Sequence, residues 1–501
     1  MRLSSLRERT LGAAKWATLL NGVSQAGHLV LQFLLAGILG PDTFGLAAQV
    51  IAVALILDQM SEFGFAAAVI QREDLEDRHL DTAFVMNLGL AAAVSLLGFG
   101  AVEAWSAAAG RTEFLDVLRW VLFLPVVSAL GHVQRALLTR RLQYRLQTLA
   151  TSAGILANIG LSVGLALAGA GVHAILAGYY ANYAVQALVF WFGSGWRPRL
   201  RFDPGALWGM VSFSMYVAFA KLMRALTRGV DVLVVGAFLG DRAAGLYSLG
   251  YRLGVVAVNQ IGAVVGNVLF SSFSRMQAEP ARLASAYLRS IRLLAATSLL
   301  PVLAAYAIVP ALPVVLGDQW LDVTPVARVL AFAVAWQGLG QLLGPLALGS
   351  RGRSDLAFLS AAVSVLLLPP FLAAGVPFGL LPTCAAVAVF NAGAALFEQW
   401  LVERVIPFTL ADFVAQVWRV LVAFVAAVAA VHGVEWVVPG EGGMVLAQVA
   451  ASGAAAAAAY VGALAVLDRP VIGEVAGTLA AFVRARGAGA RPAGEPAEGR
   501  G

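Results

Sequence analysis

The sequence predicts an all-α polytopic membrane protein of about fourteen transmembrane helices, arranged as two pseudo-symmetric six-helix lobes plus a C-terminal helix pair. Three observations carry that prediction. Of 501 residues, 60% are apolar and 12% are charged, where a soluble domain has about 25% charged residues. Arginines crowd into alternate connections between the apolar runs. The chain also matches itself at an offset of 200 residues.

The apolar runs place the helices. About 20 apolar residues span the hydrocarbon of a bilayer. Runs of that length recur throughout, among them TAFVMNLGLAAAVSLLGFGAVEAW (82–105) and LATSAGILANIGLSVGLALAG (149–169). The predicted spans 1 to 14 are 16–38, 45–70, 82–105, 117–138, 149–169, 172–193, 207–235, 244–274, 290–309, 325–348, 354–374, 378–401, 411–437 and 442–466.

The connections test that division. One alternating set holds Arg2, Arg7, Arg9 and Lys15; Arg72 and Arg78; Arg140, Arg141 and Arg145; and Arg197, Arg199 and Arg201. It continues with Arg275, Arg282, Arg289 and Arg292; Arg351 and Arg353; Arg404; and five arginines after residue 468. The other set holds only Arg111 and Arg242. Cytoplasmic loops are the basic ones, so both termini are expected in the cytoplasm of a multi-pass protein. The net charge of +6 then belongs to loops beside anionic lipid and not to a nucleic-acid surface.

Several function classes drop out. Cys384 is the only cysteine, so no disulfide framework or cysteine metal cluster is expected. The five histidines (28, 79, 132, 173 and 432) are too scattered for a zinc motif. With two lysines and no G-x-x-x-x-G-K-[ST] loop, no nucleotide hydrolysis by that route is expected. No cofactor is expected. The basic start lacks a short apolar core with a cleavage site, which reads as a signal-anchor first helix. Residues 485–501 (ARGAGARPAGEPAEGRG) have the composition of a disordered tail.

The internal match defines the lobes. LAGILGPDTFGL (35–46) falls on VGAFLGDRAAGL (235–246) without a gap, so Leu39, Gly40, Gly45 and Leu46 meet Leu239, Gly240, Gly245 and Leu246. The shared L-G-x-x-x-x-G-L ends the first span of each half and opens the second, which marks these glycines as structural hinges. The implied organisation is a lobe at 1–200, its repeat at 201–402, a helix pair at 403–470, and a cytoplasmic tail at 471–501. Two repeats in one orientation are a transporter plan, with the substrate site between them.

Polar rows follow the same symmetry. In span 7, Lys221, Arg224, Arg228 and Asp231 share one helical face. In span 1, Asn21, Gln25, His28 and Gln32 do the same, and Asn21 and His28 map onto Lys221 and Arg228. Facing lipid, each charge would cost about 2.5–3.5 kcal/mol or more, so the rows are expected to line a wet cavity. A structural pairing of Arg228 with Asp231 remains the alternative. Span 2 adds Asp58 and Glu62, one turn apart, as candidates for binding a coupling proton or Na⁺, or as neutralising partners for the cations. His132 and Arg135, near the cytoplasmic end of span 4, are expected to snorkel. Gln337, Gln341, Asn259, Asn391 and Glu398 are weaker polar candidates. A cationic cavity suits a phosphate or diphosphate, hence a phosphorylated amphiphile.

Three stretches are similar to the polysaccharide transporter family of the multidrug/oligosaccharidyl-lipid/polysaccharide exporter superfamily. They are LAGILGPDTFGLAAQV (35–50), DVLVVGAFLGDRAAGLYSLGYRL (231–253) and LPVVLGDQWLDVTPVARVLA (312–331). Asp231, Gly236, Gly240, Gly245 and Tyr247 match the family pattern, as do Gly317, Trp320 and Pro325. The resemblance implies a V-shaped bundle alternating between inward- and outward-open states. It also implies transport of undecaprenyl-diphosphate-linked oligosaccharide across the bacterial inner membrane, beside membrane lipids and polysaccharide polymerase or assembly proteins. On that reading Lys221, Arg224 and Arg228 hold the diphosphate, the row of span 1 meets sugars, and Asp58 or Glu62 couples the cycle to an ion.

Other readings stay open. A lipid II flippase shares the charge logic. A multidrug antiporter shares the fold but calls for a dominant acidic site. A membrane polymerase or glycosyltransferase finds support only in REDLEDRHLD (72–81), where Asp74 and Asp77 could hold a metal–nucleotide. A solvated loop explains that run equally well.

Overall fold

The structure, a computed structural model, describes residues 2–62, 64–106, 112–276, 279–341, 343–438, 440, 444–475 and 477. Every regular element among them is helical. The helices are α1 (Arg2–Glu62), α2 (Phe65–Gln71), α3 (Asp77–Ser106), α4 (Thr112–Val121), α5 (Leu124–Arg140), α6 (Tyr144–Leu167), α7 (Val172–Gly193), α8 (Pro204–Leu239) and α9 (Asp241–Arg275). They continue with α10 (Pro280–Ile308), α11 (Leu312–Leu316), α12 (Val323–Trp336), α13 (Gly344–Ser350), α14 (Ser354–Gly375), α15 (Leu380–Glu403), α16 (Leu410–Val437) and α17 (Val445–Leu467). By length and composition, 10 helical segments among the described residues are apolar enough to cross a membrane. The expected tail beyond residue 477 lies outside the described residues.

Helix ends follow local chemistry. Asp203 caps α8 by accepting from the amides of Gly205 (2.8 Å) and Ala206 (3.2 Å), with Pro204 in the first turn. Thr409 and Asp412 close a reciprocal capping box on α16. At the two ends of the internal match the backbone repeats as well. Gly40 has φ 73° and ψ 171°, and Gly240 has φ 87° and ψ 174°. A Cβ is disfavoured in that conformation, so each copy of the motif breaks its helix at a glycine.

Three expected spans are interrupted. Span 2 breaks between Glu62 and Phe65, where Gly64 takes φ 73°. Span 4 breaks at Leu122 and Phe123, ahead of Pro125 at the start of α5, because proline has no amide to continue the ladder. Span 10 passes through a π-helical turn, Gln337–Gln341, between α12 and α13.

Contacts group the chain into two compact units. The first comprises Met1–Arg252, Leu312–Ala333 and Ser354–Phe390. Its core gathers α1, α4 and α7 around the fully buried Val50, Val121 and Ala174. Helices α6 and α7 approach closely through small residues, with Gly154 against Asn182 and Gly178 against Asn158 and Ser162. Arg140 of α5 donates to the carbonyls of Val69 and Ile70 (both 3.1 Å) and of Glu73 (3.2 Å), capping the C-terminal end of α2.

The second unit comprises Leu253–Ala311, Val334–Arg353 and Asn391–Gly501. Within it Tyr287 donates to Gln399 Oε1 (3.0 Å), and Tyr460 of α17 donates to the Ala296 carbonyl of α10 (3.0 Å). Arg292 of α10 pairs with the buried Asp468 (3.5 Å) and with Glu474 (3.1 Å), fixing the end of α17.

Candidate functional site

All three resemblance-bearing stretches meet at one place in the first unit. A Cβ built on Gly45 would lie 1.8 Å from the Asp241 carbonyl oxygen, and one on Gly245 would lie 2.0 Å from the Pro41 carbonyl oxygen. Residues 41 and 45 are the offset-200 counterparts of 241 and 245, so the two motif copies grip each other reciprocally. Gln49 reinforces this by donating to Asp241 Oδ1 (2.7 Å) and to the Gly45 carbonyl (3.2 Å). The third stretch closes over them. Trp320 is fully buried, its edge against Phe44 (5.8 Å), and its Nε1–H donates to the Ala36 carbonyl (3.0 Å). Arg242 donates to the Gln319 carbonyl (3.1 Å) and to Asp322 Oδ2 (3.0 Å).

A cavity of about 430 Å³ opens beside this junction, between the second half of α1, α8 and the start of α9. Its polar lining is Gln59, Asp231, Tyr247, Ser248, Tyr251 and Arg252, and its apolar wall includes Ile51, Leu55 and Val232. Asp231 is 6% exposed. Its Oδ2 accepts from the Tyr247 hydroxyl (2.8 Å) and its Oδ1 from the Val232 amide (2.8 Å). Tyr247 and Tyr251 stack nearly parallel, 5.9 Å between centroids and 7° between planes. Arg252, half-buried, brings a guanidinium to the cavity wall. His28 and Tyr179 lie within its electrostatic reach.

The expected site residues divide as follows. The hinge glycines Gly40, Gly45, Gly240 and Gly245 come together at the junction, and Asp231 lines the cavity. The backbone of α8 is helical through Lys221, Arg224 and Arg228, but these side chains lie outside the described residues, as does that of Asn21. His28, Gln25 and Gln32 are all half-buried and do not line the cavity. Asp58 lies elsewhere on α1, hydrogen-bonded to Ser128 of α5, and Glu62 ends α1. His132 does not snorkel: it sits within the bundle, 2.8 Å from Ser128 Oγ, because α5 turns that face toward α1. Of the weaker candidates, Gln341 meets Asn391 (3.3 Å to its carbonyl) in the second unit, and the side chain of Asn259 lies outside the described residues.

Sequence reasoning missed Arg252, Tyr251, Ser248 and Gln59. The signal was present in the spacing of Ser248 and Arg252, one turn apart on span 8, with Tyr247 and Tyr251 beside them. Chemically the wall pairs a guanidinium with stacked aromatic rings, a hydroxyl and an amide. The cation suits phosphate, and flat rings with hydrogen-bonding neighbours suit sugar. In the acidic run at 72–81, Asp74 and Asp77 are exposed, Arg78 pairs with Glu76 (3.0 Å) on the surface, and only the buried Asp81 is fixed by packing, its Oδ1 accepting from the Arg199 amide (3.0 Å). No group of three His, Cys, Asp or Glu side chains among the described residues is placed to hold a metal.

Known proteins resemble the chain as follows. The model of a family described as "Polysaccharide biosynthesis protein" matches residues 34–325. The lipopolysaccharide biosynthesis protein WzxC of Escherichia coli (strain K12) is 25% identical over 71% of this chain and 72% of its own. The teichuronic acid biosynthesis protein TuaB of Bacillus subtilis (strain 168) is 26% identical over 83% of this chain and 87% of its own. Among solved structures, the lipid II flippase MurJ in an inward closed conformation superposes with a TM-score of 0.68 at 12% identity, covering 92% of this chain and all of MurJ. That likeness shows a shared fold.

Proposed function

The chain belongs to the polysaccharide biosynthesis protein family, and from that premise we propose that it is a flippase for lipid-linked oligosaccharide in the bacterial inner membrane. Its cargo is an undecaprenyl-diphosphate-linked repeat unit of an O-antigen or exopolysaccharide, moved by alternating access. The observation that carries this reading is Arg252, on the wall of a cavity between α1, α8 and α9 beside stacked Tyr247 and Tyr251. Burying a cation in a bilayer is costly, and an anionic headgroup repays that cost with charge-assisted hydrogen bonds. The names of WzxC and TuaB, both polysaccharide biosynthesis proteins, support the same class of cargo.

By their place in the sequence, Lys221, Arg224 and Arg228 of span 7 are proposed to hold the diphosphate, and the row of Asn21, Gln25, His28 and Gln32 on span 1 to meet sugars. The lobes are 1–200 and 201–402, with 403–470 as an added helix pair and 471–501 as a cytoplasmic tail. Both termini face the cytoplasm, on the strength of the arginine alternation. Asp58 or Glu62 binds the coupling proton or Na⁺, and polymerase or assembly proteins take over the product. A drug-cation antiporter is a poorer fit, since Asp231 spends its carboxylate on Tyr247 and Val232.

The test is leaflet exchange. Purified protein in liposomes is given a fluorescent polyprenyl-diphosphate oligosaccharide, and a membrane-impermeant quencher follows its crossing. Wild type is expected to exchange the probe, and a folded Arg252→Ala variant to lose at least about tenfold in rate, the scale of one lost charge-assisted contact. Lack of exchange by the wild type under every ion gradient would overturn the reading.

A further inference from the structure

The cavity leaves one buried polar cluster of the first unit unused. Asp58 lies on α1, and Ser128 and His132 lie one turn apart on α5. The Ser128 hydroxyl donates to Asp58 Oδ1. His132 Nε2 is 2.8 Å from Ser128 Oγ and 3.6 Å from Asp58 Oδ1, with the His132 and Asp58 side chains 14% and 16% exposed. We propose that Asp58 and His132, bridged by Ser128, form a proton-binding site that couples transport to a proton gradient. The coupling half of this rests on the flippase reading.

The hydrogen-bond order assigns the vacancy. Ser128 has a single proton and gives it to the carboxylate, so His132 Nε2 carries a hydrogen and donates to Ser128. In the neutral ring this leaves Nδ1 as a bare acceptor, and Nδ1 is buried without a hydrogen-bond partner. A proton binding there makes an imidazolium beside the carboxylate. The carboxylate, 16% exposed and facing a neutral ring, then becomes half of a neutral pair, which is the cheaper state away from water.

The surroundings leave that role to His132. On α1, Glu62 follows Asp58 by one turn. On α5, Arg135 is exposed and forms no ion pair with Asp58. From α7, Tyr183 lies within the field of both Asp58 and Arg135, with Tyr179 behind it. From α3, the Asn87 amide faces the Ser61 and Glu62 carbonyls.

The position also gives protonation something to move. Ser61 Oγ donates to the Asp58 carbonyl (2.7 Å), and α1 stops one turn beyond, at Glu62, before α2 begins at Phe65. Interrupted helices at ion sites are how membrane transporters link binding to movement. Helix α5 touches both sides of this break, through His132 on Asp58 before it and through Arg140 on the α2 carbonyls after it. Drawing Asp58 and His132 together therefore acts across the break.

Two measurements test the site. Nitrogen-15 spectra of histidine-labelled protein, taken at about pH 8 and about pH 5.5, report the ring directly. His132→Gln identifies its signal. In the wild type that signal is expected to convert to the doubly protonated form, and in isosteric Asp58→Asn to convert at least severalfold less. A ring that stays neutral in the wild type, or converts equally in Asp58→Asn, overturns the proton site.

In liposomes, a pH gradient is expected to speed wild-type exchange of the fluorescent oligosaccharide probe severalfold. Asp58→Asn and His132→Gln should exchange at one rate with or without the gradient, and Asp58→Glu should recover part of the response. Gradient-independent exchange by the wild type overturns the coupling while the flippase reading stands. If the wild type does not exchange the probe, the flippase reading fails and the spectra alone decide the proton site.

Discussion

Gly45 and Gly245 pack backbone to backbone. A Cβ on either would fall within 2.0 Å of a carbonyl oxygen belonging to the other copy of the same motif, Asp241 for Gly45 and Pro41 for Gly245. The contact brings two turns 200 residues apart into direct register, and it excludes every side chain larger than hydrogen. The obstructing atoms are backbone, so they cannot swing aside.

Gly45→Ala and Gly245→Ala are therefore expected to destabilise the protein by about 1–3 kcal/mol each, the usual range for overpacking. A thermal unfolding series in detergent measures this. Gly164→Ala is the control, since nothing lies within 4 Å of its added methyl, and it should be neutral or slightly stabilising on α6.

Trp320→Phe keeps the ring against Phe44 and removes the indole donor to the Ala36 carbonyl. The loss of a buried hydrogen bond is expected to cost about 1–3 kcal/mol. Limited proteolysis should then cut the segment around Gly317 sooner than in wild type. Unchanged unfolding and proteolysis would remove the clamp role from Trp320.

Tyr247→Phe removes the hydroxyl that Asp231 accepts from at 2.8 Å. With the carboxylate buried, about 1–3 kcal/mol of stability should go with it. In a double-mutant cycle, Asp231→Asn and Tyr247→Phe should combine less than additively, because both act on one bond.

Arg292→Met and Arg289→Ala separate a buried ion pair from an exposed one. Arg292 is 17% exposed and faces Asp468, at 1%. Removing it strands a buried carboxylate, at a cost of about 3–5 kcal/mol. Arg289 is 64% exposed in its pair with Glu474, so Arg289→Ala should change stability by no more than about 1 kcal/mol. Unfolding midpoints of the two variants, measured side by side, check the contrast.

Arg252→Lys tests what the cation does. It keeps the charge but loses the planar fork that matches phosphate oxygens. Exchange of the fluorescent probe should fall less than in Arg252→Ala, and the variant should need more probe to reach half-maximal rate. Equal behaviour of the two variants would mean that charge alone does not explain the loss.

Much of the fold was legible because apolar length and glycine placement are local properties. The helix starting at Pro204 after Asp203, and the matched breaks at Gly40 and Gly240, can be read from neighbouring residues alone. The interruptions at Glu62–Phe65 and Leu122–Phe123 were less visible, since a long apolar run looks the same whether or not one turn inside it is broken. Part of the site was legible in the same way: Asp231 and Tyr247 both stood in the motif that signals the family. Arg252 stood in that motif too, but nothing local distinguishes a cavity-lining arginine from one reaching a headgroup.

The sequence by itself determined that the chain is a helical membrane protein, where its long apolar runs lie, and which two turns are copies of one another. Periodicity and composition are enough for that, because a helix in lipid satisfies its own backbone. Only the tertiary structure decided which faces meet. Trp320 reaches Ala36 across 284 residues, and His132 reaches Asp58 across 74. A helical stripe states that a set of side chains shares a direction, and it carries no information about what lies in that direction. That partner is chosen by close packing between helices, which here sets His132 beside Asp58 rather than at the membrane surface.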